Sequence, residues 1–521
     1  MSEPIGQTEQ QWLEQVRALM LRGDHTSAES VVSVALQEYP RSFELRRILA
    51  GIYNHTRRAA AAESLLSELL AERPDDPGSA FTLARTLIDQ CRSSAAAAVM
   101  RACFEHARHN AELAIQAIEL LDDCNRKRDA AAIAEHAIVT DPDDPRLHAY
   151  AGMLEIQLGE FERARDHYLY ALQHASQACE WHVPTGLALM QRYRDAEHPD
   201  FARFRDCLQR QDLSGKARSN LLFALAKAHD DIGDYAGAAE YSRHANALAH
   251  TLTTWSRKHW RRAVEAQLAV RPIRQRLESL AGFVPVFIVG VPRSGTTLVA
   301  ELLARRPRVC NRGESPWLAR LAQQPDLTGD SKHTALQRAA ATYAAQLRQD
   351  DADDARWFID KQPLNFRYVD LIFGLFPNAR IIHCRRNERD NALSLWMQSF
   401  VEDVQGYAYD FSDIALVMHD CARLMTRWRD THAGSMRPVR YEQLVAAPEA
   451  TIAELAAWLE LPPLDLRATP ATASTSISTG SLWQARQRVY ASSAGRWNNY
   501  APYLPELLEF QRDQSLHSVN Q

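Results

Sequence analysis

The 521-residue chain has little of what marks a special environment. Its eight cysteines (Cys91, Cys103, Cys124, Cys179, Cys207, Cys310, Cys384 and Cys421) are scattered, with no CxxC pair and no tight framework. That spacing argues against a stapled scaffold, and points to a reducing cytosol in which most thiols are small buried side chains. No window approaches about 18 uninterrupted apolar residues, the length a membrane helix needs. The start, "MSEPIGQTEQQWLEQVRALM", has no positive region followed by an apolar core. Neither a membrane span nor a signal peptide is expected, and the expected location is cytoplasmic. The formal net charge of −5 argues against general nucleic-acid binding, though not against a local anion pocket. What remains is ordinary globular material, 46% hydrophobic and 24% charged, sufficient for several domains.

Strand signals are nearly absent before residue 250, where alanine, leucine and arginine recur with helical periodicity. Shifted by 34 residues the chain overlays itself. Ala28, Ala62, Ala96, Ala130 and Ala164 share one phase, and Pro40, Pro74 and Pro142 another; Gly23 and Gly159 lie four periods apart. A sixth unit, "IGDYAGAAEYSRHANA", carries Gly233, Ala238 and Ala245 in the same places after an insertion. Alanine suits the point where paired helices approach most closely. Glycine suits the end of the first helix, and proline the break before the next pair. This period resembles the tetratricopeptide repeat, with "GEFERARDHYLYAL" from Gly159 the best copy. The resemblance implies a concave surface for an acceptor protein, peptide or partner; a scaffold or self-association role is the plainer reading. Residues 251–282 read as one or two basic helices linking 1–250 to 283–521.

After Gly282 the pattern changes. "VPVFIVG", "ARWFID" and "ARIIHCRR" read as strands, alternating with helical "TTLVAELLARRP", "VDLIFGLFP" and "RDNALSLWMQSF". Such alternation means a parallel sheet with helices on both faces, and ligands bind at its carboxyl edge. The first strand runs into Gly290-Val291-Pro292-Arg293-Ser294-Gly295-Thr296-Thr297. Two glycines five apart before a helix suit a phosphate cradle. The lysine of a nucleoside triphosphatase loop is missing: Thr296 stands in its place, and Arg293 lies within the loop. An ordinary turn is the bland alternative. The run Pro-Arg-Ser-Gly-Thr-Thr-Leu resembles the 5′-phosphosulfate loop of the sulfotransferases, the tyrosylprotein sulfotransferases in particular. The fold implied for the whole chain is α + α/β, a helical repeat array followed by a P-loop-type domain with a parallel sheet flanked by helices.

The resemblance extends over about 283–521 and assigns roles residue by residue. Arg293, Ser294, Gly295, Thr296, Thr297 and Leu298 would form the loop that holds the 5′-phosphosulfate. Arg386 and Ser394, in "RNERDNALS", would hold the 3′-phosphate; alone, this motif reads as a capped helix start. The family's further arginine four residues on is Gln398 here. Tyr441, in "VRYEQLVAAPE", would lie beside the nucleotide, or else be a core tyrosine. Ser481, Arg496 and Trp497 match the C-terminal lid, and the preceding "ATPATASTSISTG" is expected to order over bound nucleotide. Glu314 in "CNRGESPWL" is the expected general base, with Ser315 where relatives carry a second glutamate. His383 reads as core. Lys361 in "FIDKQPLNF", with Arg293 and Ser481, would stabilise the transferring group.

The implied activity is transfer of a sulfuryl group from 3′-phosphoadenosine 5′-phosphosulfate to an acceptor hydroxyl, with a protein tyrosine favoured and no metal required. A repeat adaptor with a non-catalytic nucleotide domain and a P-loop kinase are the alternatives, and a homodimer is left open.

Overall fold

A computed structural model describes residues 7–105, 109–269, 277–324, 327, 333–350, 352, 354–400, 403–462 and 493–510. The chain divides into two compact units, Met1–Leu154 with Gln349–Asp351, and Glu155–Arg348 with Ala352–Gln521.

The first unit consists of helix pairs: α1 (Glu9–Leu21) and α2 (His25–Glu38), α3 (Phe43–His55) and α4 (Ala59–Glu72), α5 (Pro77–Asp89) and α6 (Ser93–Phe104), α7 (Ala111–Asp123) and α8 (Lys127–Thr140). The pattern continues along the chain in α9 (Pro145–Leu158) and α10 (Phe161–His174), so first helices and second helices both start every 34 residues. The phased alanines are fully buried, as close helix approach requires. One residue between the helices of each pair is left-handed: Gly23, Arg57, Cys91, Asn125 and Gly159, again 34 apart. The sequence shows glycine at two of these positions. The backbone asks for it at all five, and a side chain there costs roughly 1 kcal/mol.

The second unit opens with α10, a 3₁₀ turn at Ser176–Cys179, α11 (Val183–Leu189), α12 (Pro199–Leu208), and a long hairpin of α13 (Gly215–Asp231) and α14 (Tyr235–Leu252). Cys179 and Cys207 are joined in a disulfide, with Cα atoms 6.1 Å apart. The cysteine spacing does not signal this pair; the turn before α11 and helix α12 bring the two together. A disulfide sits poorly with the reducing compartment expected from cysteine usage. Cys103, Cys384 and Cys421 are buried thiols. Helix α15 (Arg257–Ala269) buries Trp260 and Val264, and the Trp260 indole donates to Asp420 at 3.0 Å.

Five strands follow: β1 (Val284–Gly290), β2 (Val309–Asn311), β3 (Trp357–Asp360), β4 (Arg380–Arg385) and β5 (Met436–Arg440). Their order is β2-β3-β1-β4-β5 and every pair is parallel. The helices between and after them are α16 (Thr296–Ala304), α17 (Trp317–Leu321), α18 (His333–Arg348), α19 (Val369–Leu375), α20 (Glu388–Trp396), α21 (Phe411–Thr431), α22 (Tyr441–Ala446) and α23 (Pro448–Trp458). Alternate residues of β1 serve two cores. Phe287 and Val289 lie with Leu336, Tyr343 and Trp428; Val286 and Ile288 lie with Val299, Leu303, Ile452 and Leu455. Each such fully buried side chain contributes about 1.5–3 kcal/mol. Strands β2 and β3 flank β1 on one side and β4 and β5 on the other. The connection switches sides at the carboxyl end of β1, where an open parallel sheet offers a crevice. Among the described residues no helix is long and apolar enough to cross a membrane.

Candidate functional site

The loop after β1 is held by backbone needs that only certain residues meet. Gly290 has φ +148°, and a Cβ there would lie 2.4 Å from the Cys384 carbonyl oxygen. Gly295 has φ +96°, and its Cβ would lie 2.8 Å from the Tyr441 ring. Between them Arg293 is left-handed at φ +70°, a conformation costing a non-glycine residue about 1–2 kcal/mol. Helix α20 secures the loop from outside. Asn391 Nδ2 donates to the Pro292 carbonyl at 2.8 Å, and Arg293 Nε donates to Ser394 Oγ at 3.1 Å. Gly295 caps α16 without a side-chain hydrogen bond. The first-turn amides of a helix have no intrahelical acceptor, and they add the positive end of the helix dipole. Thr296 is buried, and Leu298 packs against the core under the sheet.

Strand register brings the next residues to the same edge. Gly290 pairs with Cys384, so Arg386 follows two residues on; Arg385 pairs with Arg440, so Tyr441 follows one residue on. Arg386 Nη1 donates to the Arg293 carbonyl at 3.1 Å and Nη2 to the Ser493 carbonyl at 2.7 Å. Its guanidinium lies 4.7 Å over the Tyr441 ring. Burial pulls Arg386 below its ordinary pKa; Tyr441 and Asp390 oppose this, and Arg496 adds to it. Arg386 Nε and Ser294 Oγ are both buried without a hydrogen-bond partner among the described residues. Two unspent polar groups, a buried guanidinium and a helix start with no side-chain cap fit a tetrahedral anion.

Lys361 directly follows β3, whose last residue, Asp360, pairs with Phe287 in the middle of β1. Its ammonium contacts the Glu314 carboxylate directly. The lysine side chain is 3% exposed and the glutamate 32%. The Lys361 amide donates to the Gly313 carbonyl at 2.9 Å, and Gly313 is left-handed at φ +66°, so the turn that carries Glu314 is tied to β3. Asp360, fully buried, accepts from the Tyr343 hydroxyl and from Asn365 Nδ2 at 3.2 Å. Burial pushes the Asp360 carboxyl up to about 7, against the opposing effects of the Tyr343 hydrogen bond and the Lys361 charge. His383 is held down to about 3 by burial and by Arg385 and Arg429, which makes it a poor proton acceptor at neutral pH. The loop with Arg386, Ser394 and Tyr441 forms one cluster, and Glu314 with Lys361 forms a second at the same sheet edge.

Ser481 lies outside the described residues, as does the "ATPATASTSISTG" run. The segment from Ser493 is anchored on α20. The Gly495 and Trp497 amides donate to the Asp390 carboxylate at 2.7 and 2.9 Å, and the Arg389 guanidinium lies 4.2 Å over the Trp497 ring. Arg496 pairs with Asp230 of α13 and has no hydrogen bond to the loop among those described. Asp390, Asn391, Asp360, Tyr343 and Asp230 were not singled out from the sequence. Asp390 and Asn391 stand inside the quoted motif beside Arg386, and Asp360 directly precedes Lys361. Nothing local marks Tyr343 or Asp230.

Residues 285–465 match the model of the sulfotransferase family, and residues 19–83 match a tetratricopeptide repeat model. An uncharacterized protein of Aquifex aeolicus is 28% identical over 57% of this chain and 42% of its own length. A protein-tyrosine sulfotransferase of Drosophila melanogaster is 27% identical over 34% of this chain and 38% of its own. The chain thus spans about two fifths of the length of these relatives. The solved sulfotransferase domain of the Synechococcus PCC 7002 olefin synthase is 18% identical with a TM-score of 0.34, covering 47% of this chain and 98% of that one.

Proposed function

We propose that this chain, in which a tetratricopeptide-repeat region precedes a sulfotransferase-family domain, moves a sulfuryl group from 3′-phosphoadenosine 5′-phosphosulfate to an acceptor hydroxyl. The observation that carries the reading is the buried Arg386, whose hydrogen-bond partners among the described residues are carbonyls, together with Arg386 Nε and Ser294 Oγ, which have none there, beside the glycine-capped start of α16. A buried cation in that state favours an anionic ligand. In this reading the loop from Arg293 to Leu298 holds the 5′-phosphosulfate. Arg386 and Ser394 hold the 3′-phosphate, with Tyr441 beside the nucleotide, and Ser481 and Arg496 belong to the segment that covers it.

The chemistry follows from the second cluster. The acceptor oxygen attacks sulfur as its proton passes to Glu314. The bond from sulfur to the bridging oxygen breaks, and its electron pair stays on the 5′-phosphate. Lys361 and Arg293 stabilise the charge that develops there, so catalysis is mostly positioning and electrostatics. Lys361 has three donors, and its contact with Glu314 uses one. No metal takes part in these steps.

The acceptor is proposed to be a protein tyrosine, brought to residues 283–521 by the repeats of 1–250 across the segment 251–282. The test is transfer of labelled sulfuryl from the donor to a tyrosine peptide. Transfer by the unaltered chain that falls at least about a hundredfold in Glu314→Gln supports the reading. Transfer unchanged in Glu314→Gln refutes the assignment of the base.

A further inference from the structure

The α13–α14 hairpin precedes the sheet domain in sequence, yet within the second unit it holds two parts of the proposed donor site. Asn246 Nδ2 donates to the Trp396 carbonyl at 2.8 Å, and Ser399 Oγ donates to Asn220 Oδ1 at 2.6 Å. Both contacts lie at the end of α20, the helix that carries Ser394. At the other end, Asp230 accepts from the Arg496 guanidinium and from the Tyr500 hydroxyl. Tyr500 is buried, with its ring 5.2 Å from Tyr235 of the same hairpin. The stretch from Ser493 to Tyr500 is therefore fixed at three points, by Arg386 at Ser493, by Asp390 at Gly495 and Trp497, and by Asp230 at Arg496 and Tyr500.

We infer that Asp230 is a positioning residue for the 3′-phosphate end of the donor site. It touches neither the loop nor Arg386. It acts through Arg496 and Tyr500, which set where the Ser493 carbonyl meets Arg386 Nη2 and how close the Arg496 charge stands to Arg386. Loosening the segment withdraws a partner that orients the Arg386 fork. The loop that takes the 5′ end meets Arg386 through the Arg293 carbonyl, but it is also held by Asn391 and Ser394, which Asp230 does not touch. The effect of Asp230 thus falls mainly on the 3′ end of the nucleotide. The inference rests on the donor reading above.

The test is calorimetric binding of 3′-phosphoadenosine 5′-phosphate and of 5′-AMP to the full chain and to Asp230→Asn, Asp230→Glu, Tyr500→Phe and Arg243→Ala. Asp230→Asn is expected to lose about tenfold in affinity for the bisphosphate while 5′-AMP changes less than about twofold. Asp230→Glu should recover most of the loss. Tyr500→Phe keeps the ring and removes one donor to Asp230; it should lose about threefold, and serves if Asp230→Asn does not fold. Arg243→Ala removes the exposed pair with Glu506 and a 3.4 Å hydrogen bond to the Tyr503 carbonyl, both beyond Tyr500, and should bind as the unaltered chain does. Equal loss for both nucleotides, or no loss in Asp230→Asn and Tyr500→Phe, overturns the inference and leaves the donor reading standing. Failure of the unaltered chain to bind the bisphosphate removes the donor reading, and the inference with it.

Discussion

Breaking the Glu314–Lys361 pair from its two sides should give unequal results. Lys361 is 3% exposed and Glu314 32%. Glu314→Gln strands an ammonium away from water. Removing one partner of a buried pair costs about 3–5 kcal/mol. A loss of roughly 3 kcal/mol is expected, or about 4 °C in melting midpoint for a unit of this size. Lys361→Met leaves a carboxylate that water reaches, so its loss should be about 1 kcal/mol. The double variant should sit near Lys361→Met. Calorimetric melting of the four proteins at pH 7 reads all of this. Equal losses, or a larger loss in Lys361→Met, would refute the burial argument.

Gly295→Ala must place a Cβ at φ +96° and 2.8 Å from Tyr441, so it should weaken nucleotide binding about tenfold or more in a titration, with Tyr441 and the overlying Arg386 displaced. Asp360, raised to about 7, contributes stability that is fullest below its ordinary pKa and is lost as pH climbs toward 7. Asp360→Asn should therefore flatten the stability profile between pH 4 and 7, by about 1.4 kcal/mol per unit, in denaturant unfolding. Arg57→Gly and Cys91→Gly place glycine at left-handed positions and should each stabilise the repeats by about 1 kcal/mol, whereas Gly23→Ala should destabilise by a similar amount.

Much of the architecture is legible because it rests on short-range rules. The 34-residue alanine phase predicts the helix pairs, whose starts keep that spacing through α10. "VPVFIVG" is β1, residue for residue, because a fully buried parallel strand needs an unbroken apolar run. Strand β2 escapes notice: three half-buried residues at a sheet edge carry no periodicity. The Cys179–Cys207 bond and the Asp230–Arg496 pair are equally silent, since each joins residues whose neighbours say nothing of the partner. At the candidate site, the residues expected from the loop and from "RNERDNALS" meet at one edge, because parallel register places the ends of β1, β4 and β5 together. The residues that hold them in place, Asn391, Asp390 and Tyr343, make contacts visible only once helices and strands are packed. Their types, an amide, a carboxylate and a phenol, are common wherever a buried polar group needs a partner.

The most direct test of the donor site is a calorimetric titration of the full chain and of Arg386→Ala with 3′-phosphoadenosine 5′-phosphate, 5′-AMP and ATP with magnesium. The account predicts binding that depends on the 3′-phosphate and is lost in Arg386→Ala. Absence of binding, or preference for ATP with magnesium, would contradict it.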